Sequence, residues 1–299
     1  MKNFPKNQIL ISKVKNAKDI YACIKRGFDS MGDLKLGSDS VVFIKPNLCC
    51  VKSPETGATT DPRVVEGIIR CLKDEYAVTS IYIVESDGSQ VLADMAFKLL
   101  GYERLAKKFD VKLINLSKCP FSIKVFPENV FLKKIRFPHI MEEASFFISV
   151  PKIKTHGELG ALLTSALKNQ FGCNPDPHKS KLHKRLHDAI VDLNVAFKPN
   201  LVVVDGIVAM GGYRGPVDGV PIRMNTLIFG RDPVAVDHLI TRIMGINPNS
   251  VRYLVKAKSR GVGTTEYITI GTIPWEFKTE FRIDPPRLRN FYRLFHRTN

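Results

Sequence analysis

Lys152, Lys154 and His156 recur at every second position of PKIKTH, residues 151–156. In an extended chain that spacing turns two ammonium groups and an imidazole to one side and Ile153 to the other. No acid interrupts the basic side, so the pattern fits a site for an anionic small molecule; its alternative is a solvated edge on which the lysines snorkel. An imidazole beside lysines sheds its proton more readily than a free one, which leaves His156 neutral and able to act as base or ligand. Lys45 follows the apolar run 41–44 and adds a third cation, while the amides of Asn47 and Asn169 can orient a carboxylate or phosphate. Glu85 and Asp87 follow the run 81–84, and Asp205 follows 201–204. Carboxylates at strand ends can hold a metal, accept a ribose hydroxyl, carry a proton or balance the lysines. Catalysis is therefore assigned to His156, Lys154, Asp205 and Asp87, and ligand binding to Lys45, Asn47, Thr59, Thr60, Lys152, Lys168, Asn169 and Asp237.

The elements that must position these groups follow from hydrophobic period. Residues 146–150 read as a buried strand, and Gly157 breaks the extended stretch after it. Residues 159–171 read as a helix with Leu162, Leu163, Ala166 and Leu167 inward and Gly172 as its stop. Upstream, residues 9–14 read as a strand, and Ile20, Cys23, Ile24 and Phe28 mark a helix. Residues 41–44 are a second strand, where Pro46 stops ladder pairing and holds Lys45 near the carboxyl end. Thr60 or Asp61 with Pro62 makes a capped helix start ahead of Val64, Val65, Ile68, Ile69 and Leu72, and Asp232-Pro233 repeats that device. Residues 81–84 and 111–116 read as strands around a helical stretch, 95–109, and residues 119–140 as an irregular or β-rich excursion, a small antiparallel addition being one form of it. Strands at 201–204 and 227–229 follow. The alternation predicts an α/β protein of mainly parallel sheets with helices on both faces, arranged as two lobes around a cleft. The lobes are expected at residues 1–145 and 146–275, with polar strand ends facing the shared cleft where such sheets take ligands.

Three further segments stand out. Residues 210–221 are dense in glycine and carry Arg214, but lack a G-x-G-x-x-G order leading into a helix, so a hinge or lid is the better reading. His183 and His187 are four apart, a spacing that clamps a transition metal on one helix face. The cations around them oppose a dication, and a basic flap closing over an anion is the alternative. Residues 276–299 read as an appended basic amphipathic helix that packs on the body, touches a protein partner or rests on an anionic membrane surface.

Forty-five Lys and Arg against 29 Asp and Glu leave a net charge of +16, which raises nucleic acid, anionic surfaces and acidic metabolites as partners together. The amino-terminal apolar run is too short for a signal peptide and no later run approaches a membrane span, which predicts a soluble, cytoplasmic protein. Six cysteines are scattered with one vicinal pair and no C-x-x-C, a spacing that fits neither zinc ribbons nor ferredoxin clusters and reads as buried thiols.

KPNL at 45–48, ATTDP at 58–62, PKIKTH at 151–156, ALKNQFG at 166–172, VVDGI at 203–207 and GRDPVAVD at 230–237 resemble, in order, the family catalogued as domain of unknown function 362. The likeness spans residues 38–265. Many members similar to this chain carry a ferredoxin-like cluster segment; this chain lacks that cysteine run, so an iron-sulfur cluster is not expected in it. A fainter likeness of the first lobe to nickel-pincer racemases is one of fold. The leading expectation is an enzyme or specific binder for a small carboxylate- or phosphate-bearing metabolite, with a divalent metal among the cofactors considered. The competing classes are a nucleic-acid binder, which lacks helix-turn-helix, zinc-finger or stacking signatures, and a redox accessory protein.

Overall fold

The computed structural model describes residues 7–157, 160–176, 178–279, 281 and 283. Its centre is one mixed sheet whose strands are fully buried where they cross the core, as the continuous apolar runs require. Strands β1 (Gln8–Lys13), β2 (Val41–Pro46), β3 (Ser80–Glu85) and β4 (Lys112–Asn115) come from the first half of the chain. A separate antiparallel pair, β5 (Phe121–Val125) and β6 (Lys134–Pro138), forms the excursion expected at 119–140. The second half supplies β7 (Phe146–Val150), β8 (Lys152–His156), β9 (Leu162–Thr164), β10 (Leu201–Gly211), β11 (Val220–Gly230) and β12 (Ile268–Ile270).

The main sheet runs β12-β1-β11-β10-β7-β2-β3-β4, and β8 joins β10 with β9 beyond it. Neighbours from β10 through β4 are parallel, whereas β11 is antiparallel to both β1 and β10. Residue 145 directly precedes β7, a central strand of this sheet.

Alternation along the central strands sends side chains to two cores. Val42, Ile44, Phe146, Ile148, Leu201 and Val203 face one core, covered by α1 (Asp19–Ser30), α2 (Pro62–Tyr76), α3 (Ala93–Leu99) and α4 (Tyr102–Phe109). Phe43, Phe147, Val202 and Val204 face the other, covered by α5 (Ala166–Asn169), α6 (Leu186–Ala196), α7 (Pro233–Ile243) and α8 (Arg252–Ser259). Helices thus cover both faces. Among the described residues no helix is long and apolar enough to cross a membrane.

The capped starts form as their chemistry dictates. Asp61 accepts from Arg63 N, and Asp232 accepts from Val234 N and Ala235 N, each ahead of a proline that needs no N–H partner. Three elements depart from expectation. The helical stretch 95–109 is two helices, because Gly101 takes φ 83° between them. The helix read over 159–171 gives way to β9, a strand that pairs antiparallel with β8, followed by the four-residue α5 and a 3-10 turn at Gln170–Cys173. Strands β10 and β11 outrun the short apolar cores from which they were read, so the glycine-dense segment becomes the connection of a long hairpin. The basic extension read over 276–299 falls almost wholly outside the described residues.

Candidate functional site

Pro151 divides one extended stretch into two pairings. Up to Val150 the chain, as β7, lies between β2 and β10, with Val150 opposite Pro46. After Pro151 it continues as β8 between β10 and β9, since β2 has ended. The segment after β2 turns away to Cys49, and the space left at the carboxyl ends of β2 and β3 is a cavity of about 420 Å³. Its walls come from the β2 and β3 ends, β8, α5, the turn at Gln170–Cys173, the basic segment around Lys179, and Arg214 to Asp218 of the hairpin loop.

Six of the sequence-assigned residues meet there: Lys45, Asn47, Lys154, His156, Lys168 and Asn169. A polar network holds them. Lys154 Nζ donates to Asn47 Oδ1 (3.0 Å) and Ala58 O (2.9 Å) and lies 3.2 Å from Cys49 Sγ. Asn47 Nδ2 donates to Asn169 Oδ1 at 3.2 Å, and Asn169 Nδ2 donates to Ser149 Oγ at 2.9 Å. Both asparagine amides are oriented by the fold before any ligand arrives. Lys45 Nζ donates to Glu85 Oε2 at 2.8 Å, which neutralises one of the cations.

The remaining cations lack such partners. Among the described residues no carboxylate lies within salt-bridge distance of Lys154, Lys168 or Lys179. Lys168 Nζ sits 4.8 Å from the centre of the Phe171 ring. Burial, reinforced by Lys154, brings the Lys168 ammonium down to about 8. Lys179, only 8% exposed, donates to Ser86 Oγ at 2.6 Å and is likewise lowered to about 8, chiefly by burial. His156 is 2% exposed; its Nδ1 lies 2.9 Å from Thr164 Oγ1, and its Nε2 meets no partner. Burial, then Lys168 and Lys154, drive its imidazole down to about 2, so it is neutral.

The other assigned residues lie outside the cavity, each with a packing role. Lys152 Nζ is 3.0 Å from Asp205 Oδ2, and both side chains are fully buried. Asp205 also accepts from Asp61 N (2.8 Å) and Ile207 N (3.1 Å), so this carboxylate ties β8, β10 and the start of α2 together. Thr59 Oγ1 donates to Lys52 O, and Thr60 Oγ1 donates to Val150 O while accepting from Asn47 N. Asp87 accepts from Ala93 N and Asn115 Nδ2. Asp237 is wholly buried and accepts from Ala166 N (2.7 Å) and Leu167 N (3.0 Å), which fixes the start of α5; burial raises its carboxyl to about 7.

The cavity also holds residues to which the motifs gave no role. Cys49, Ser86, Phe171 and Lys179 line it. Lys179, Ser180 and His183 belong to the basic stretch read as a flap, and Arg214 to Asp218 to the loop read as a lid. Only the position of Cys49, directly after KPNL, pointed to it. His183 and His187 do not share a helix face: His183 is in the 3-10 segment Lys179–Arg185, whereas His187 is in α6, stacked on Tyr253. Among the described residues no group of three or more His, Cys, Asp or Glu side chains is placed to hold a metal.

A larger groove of about 620 Å³ runs beside β1 and β11 past Arg26, Asp29 and Glu276. There acids balance bases, and the groove lies away from the carboxyl ends of the parallel strands. The smaller cavity is therefore the candidate site.

Over 231 residues, 75% of this chain and 69% of the relative, the sequence is 25% identical to the thylakoid-associated protein sll1697 of Synechocystis sp.. The lactate racemase apoprotein from Thermoanaerobacterium thermosaccharolyticum aligns structurally at a TM-score of 0.45 and 11% identity, covering 81% of this chain. This chain spans 58% of that protein's length. Residues 42–242, which contain every strand end that builds the cavity, match the family described as Domain of unknown function (DUF362), and the chain belongs to that family.

Proposed function

We propose that the chain binds, and acts on, a small carboxylate- or phosphate-bearing metabolite in the cavity at the ends of β2, β3 and β8. One observation carries this reading: Lys154, Lys168 and Lys179 converge on one half-open cavity whose acids, Glu85 and Asp218, are already paired to Lys45 and Lys52. Buried ammonium groups without counterions are costly. A ligand anion would offset that cost, so lysines gathered around one cavity without carboxylate partners among the described residues support an anion site. Asn47 and Asn169 would orient the anion, and Arg214 on the hairpin loop would reach it from the open side.

Chemistry beyond binding falls to the neutral His156 and to the thiol of Cys49. The neutral His156 would accept a hydrogen bond from the ligand at Nε2 while Thr164 holds its other nitrogen. Cys49, Lys179 and Arg214 join the candidate set; Lys152, Asp205, Asp87 and Asp237 would act by holding the elements that carry it.

Native and denaturing mass spectrometry of freshly purified protein tests the proposal. Excess mass that disappears on unfolding, or that appears on adding inorganic phosphate and is lost in Lys168→Gln, supports it. A native mass unmoved by phosphate and by small carboxylates contradicts it.

A further inference from the structure

Cys49 differs from the other five cysteines. It is solvent-exposed, whereas Cys23, Cys50, Cys71 and Cys173 are buried and Cys119 is half-buried. Its sulfur lies 3.2 Å from the Lys154 ammonium, at the wall of a cavity that Lys168 also lines. A hydrogen bond from the neighbouring Cys50 thiol, with Lys154 and Lys168 behind it, holds the Cys49 thiol well below its ordinary range. Burial moves Cys71, Cys119 and Cys173 the other way, and the hydrogen bond with Cys49, then burial, does the same to Cys50. Electropositive surroundings with partial exposure are what distinguish a reactive cysteine from a structural one.

A second observation points to a ligand in the same place. His156 lines this cavity, is 2% exposed, and keeps Nε2 unpartnered although it is buried. Buried imidazole nitrogens are normally satisfied, so an unpartnered one on a histidine that lines the cavity supports a ligand there. A nucleophilic sulfur, a neutral imidazole and three ammonium groups with no carboxylate partner among the described residues, all around one space, form a set suited to covalent chemistry on an anion.

We infer that Cys49 is a nucleophile whose sulfur bonds to an electrophilic carbon of the small anionic ligand, a carboxylate or phosphate that carries a carbonyl group. In that step the sulfur lone pair forms the carbon–sulfur bond and the carbonyl π pair moves to oxygen. The proton given up by the thiol ends on that oxygen, giving a hemithioketal or hemithioacetal with no redox change. The inference rests on the anion-binding reading of the cavity, which supplies the ligand's charge.

Competitive alkylation by iodoacetate and iodoacetamide tests both parts separately. The reagents transfer similar carbons to sulfur with loss of iodide, the thiol proton passing to buffer, but only iodoacetate is an anion. Peptide mapping by mass spectrometry follows all six cysteines in the full-length protein. Cys49 is expected to react first, and faster with iodoacetate than with iodoacetamide by about tenfold or more, as for charge-steered association. Inorganic phosphate should protect it, and Lys168→Gln should remove most of the preference for iodoacetate. Labelling of Cys49 no faster than Cys119 by either reagent overturns the nucleophile, even if phosphate binds. Fast labelling by both reagents alike, without protection by phosphate, overturns the anionic ligand and leaves only an activated thiol.

Discussion

Lys45 and Glu85 close the ends of two adjacent parallel strands with an ion pair of 2.8 Å, and Gly172 lies directly on it. A Cβ at Gly172 would fall 2.0 Å from Glu85 Oε1 and 2.3 Å from Lys45 Nζ. The glycine is needed for close approach, since its backbone φ is not among the positive values. Gly172→Ala must therefore push apart a buried pair in the cavity wall. The expected cost is about 1–3 kcal/mol, as for other overpacked sites, with a matching loss of anion affinity. Chemical denaturation and a phosphate titration of the same variant measure both.

The buried pair Lys152–Asp205 gives a sharper contrast. Lys152→Met leaves the fully buried Asp205 carboxylate without its cation, at a cost of about 3–5 kcal/mol. The double variant Lys152→Met/Asp205→Asn removes both charges but leaves one acceptor oxygen for two donors, Asp61 N and Ile207 N. It is expected to recover part of that stability, short by about 1–3 kcal/mol for the stranded donor, and to bind phosphate with wild-type affinity. Failure to bind in a stable double variant would return Lys152 to the ligand site.

Asp237 holds α5 through two backbone N–H groups, and α5 carries Lys168 and Asn169 into the cavity. Asp237→Asn retains one acceptor oxygen for two donors, one of which must face the amide NH₂. A loss of about 1–3 kcal/mol is expected for the stranded buried donor, together with weakened anion binding. Denaturation midpoints with and without phosphate separate the two effects.

Much of the frame was legible because it rests on local chemistry. Apolar runs ending at Lys45, Glu85 and Asp205 formed central strands, and Asp61-Pro62 and Asp232-Pro233 both capped helices. What stayed hidden depends on partners far away in sequence. Lys152 and Lys154 share a face by alternation, yet Lys152 meets Asp205, 53 residues on, while Lys154 meets Asn47 and the cavity. Period alone cannot tell a lysine with a buried counterion from one without. Gly172 reads as a helix stop because its clash with Lys45 and Glu85 is tertiary. Leu162 to Thr164 read as helix because their pairing with β8 overrides local preference. Lys179 was visible only as one charge in a basic run.

The lowered ammonium groups of Lys168 and Lys179, both at about 8, fix a pH dependence. Lys168 faces Lys154, Cys49 and Lys179; Lys179 faces Glu85, Lys45, Cys173 and Asp87. Below pH 8 both are charged and anion affinity is full; above it they lose protons and affinity falls. Binding near pH 8 should take up protons, seen as a buffer-dependent heat. In the ligand-free protein the sign for stability is opposite. From about 8 to the ordinary lysine value near 10.5 the unfolded chain holds more protons than the fold, so these two groups make stability rise with pH. Lys168→Gln should reduce that rise relative to wild type in paired urea titrations.

Titration calorimetry at pH 7 and low salt addresses the central claim most directly, with inorganic phosphate and pyruvate run against wild type and Lys168→Gln. Lys168 has no carboxylate partner among the described residues, so its replacement removes a cation without stranding an anion. Saturable binding of at least one of the two anions, weakened about tenfold or more in the variant, is the predicted result. No binding of either anion by the wild type, or equal affinity in the variant, would contradict the assignment of this cavity as an anion site.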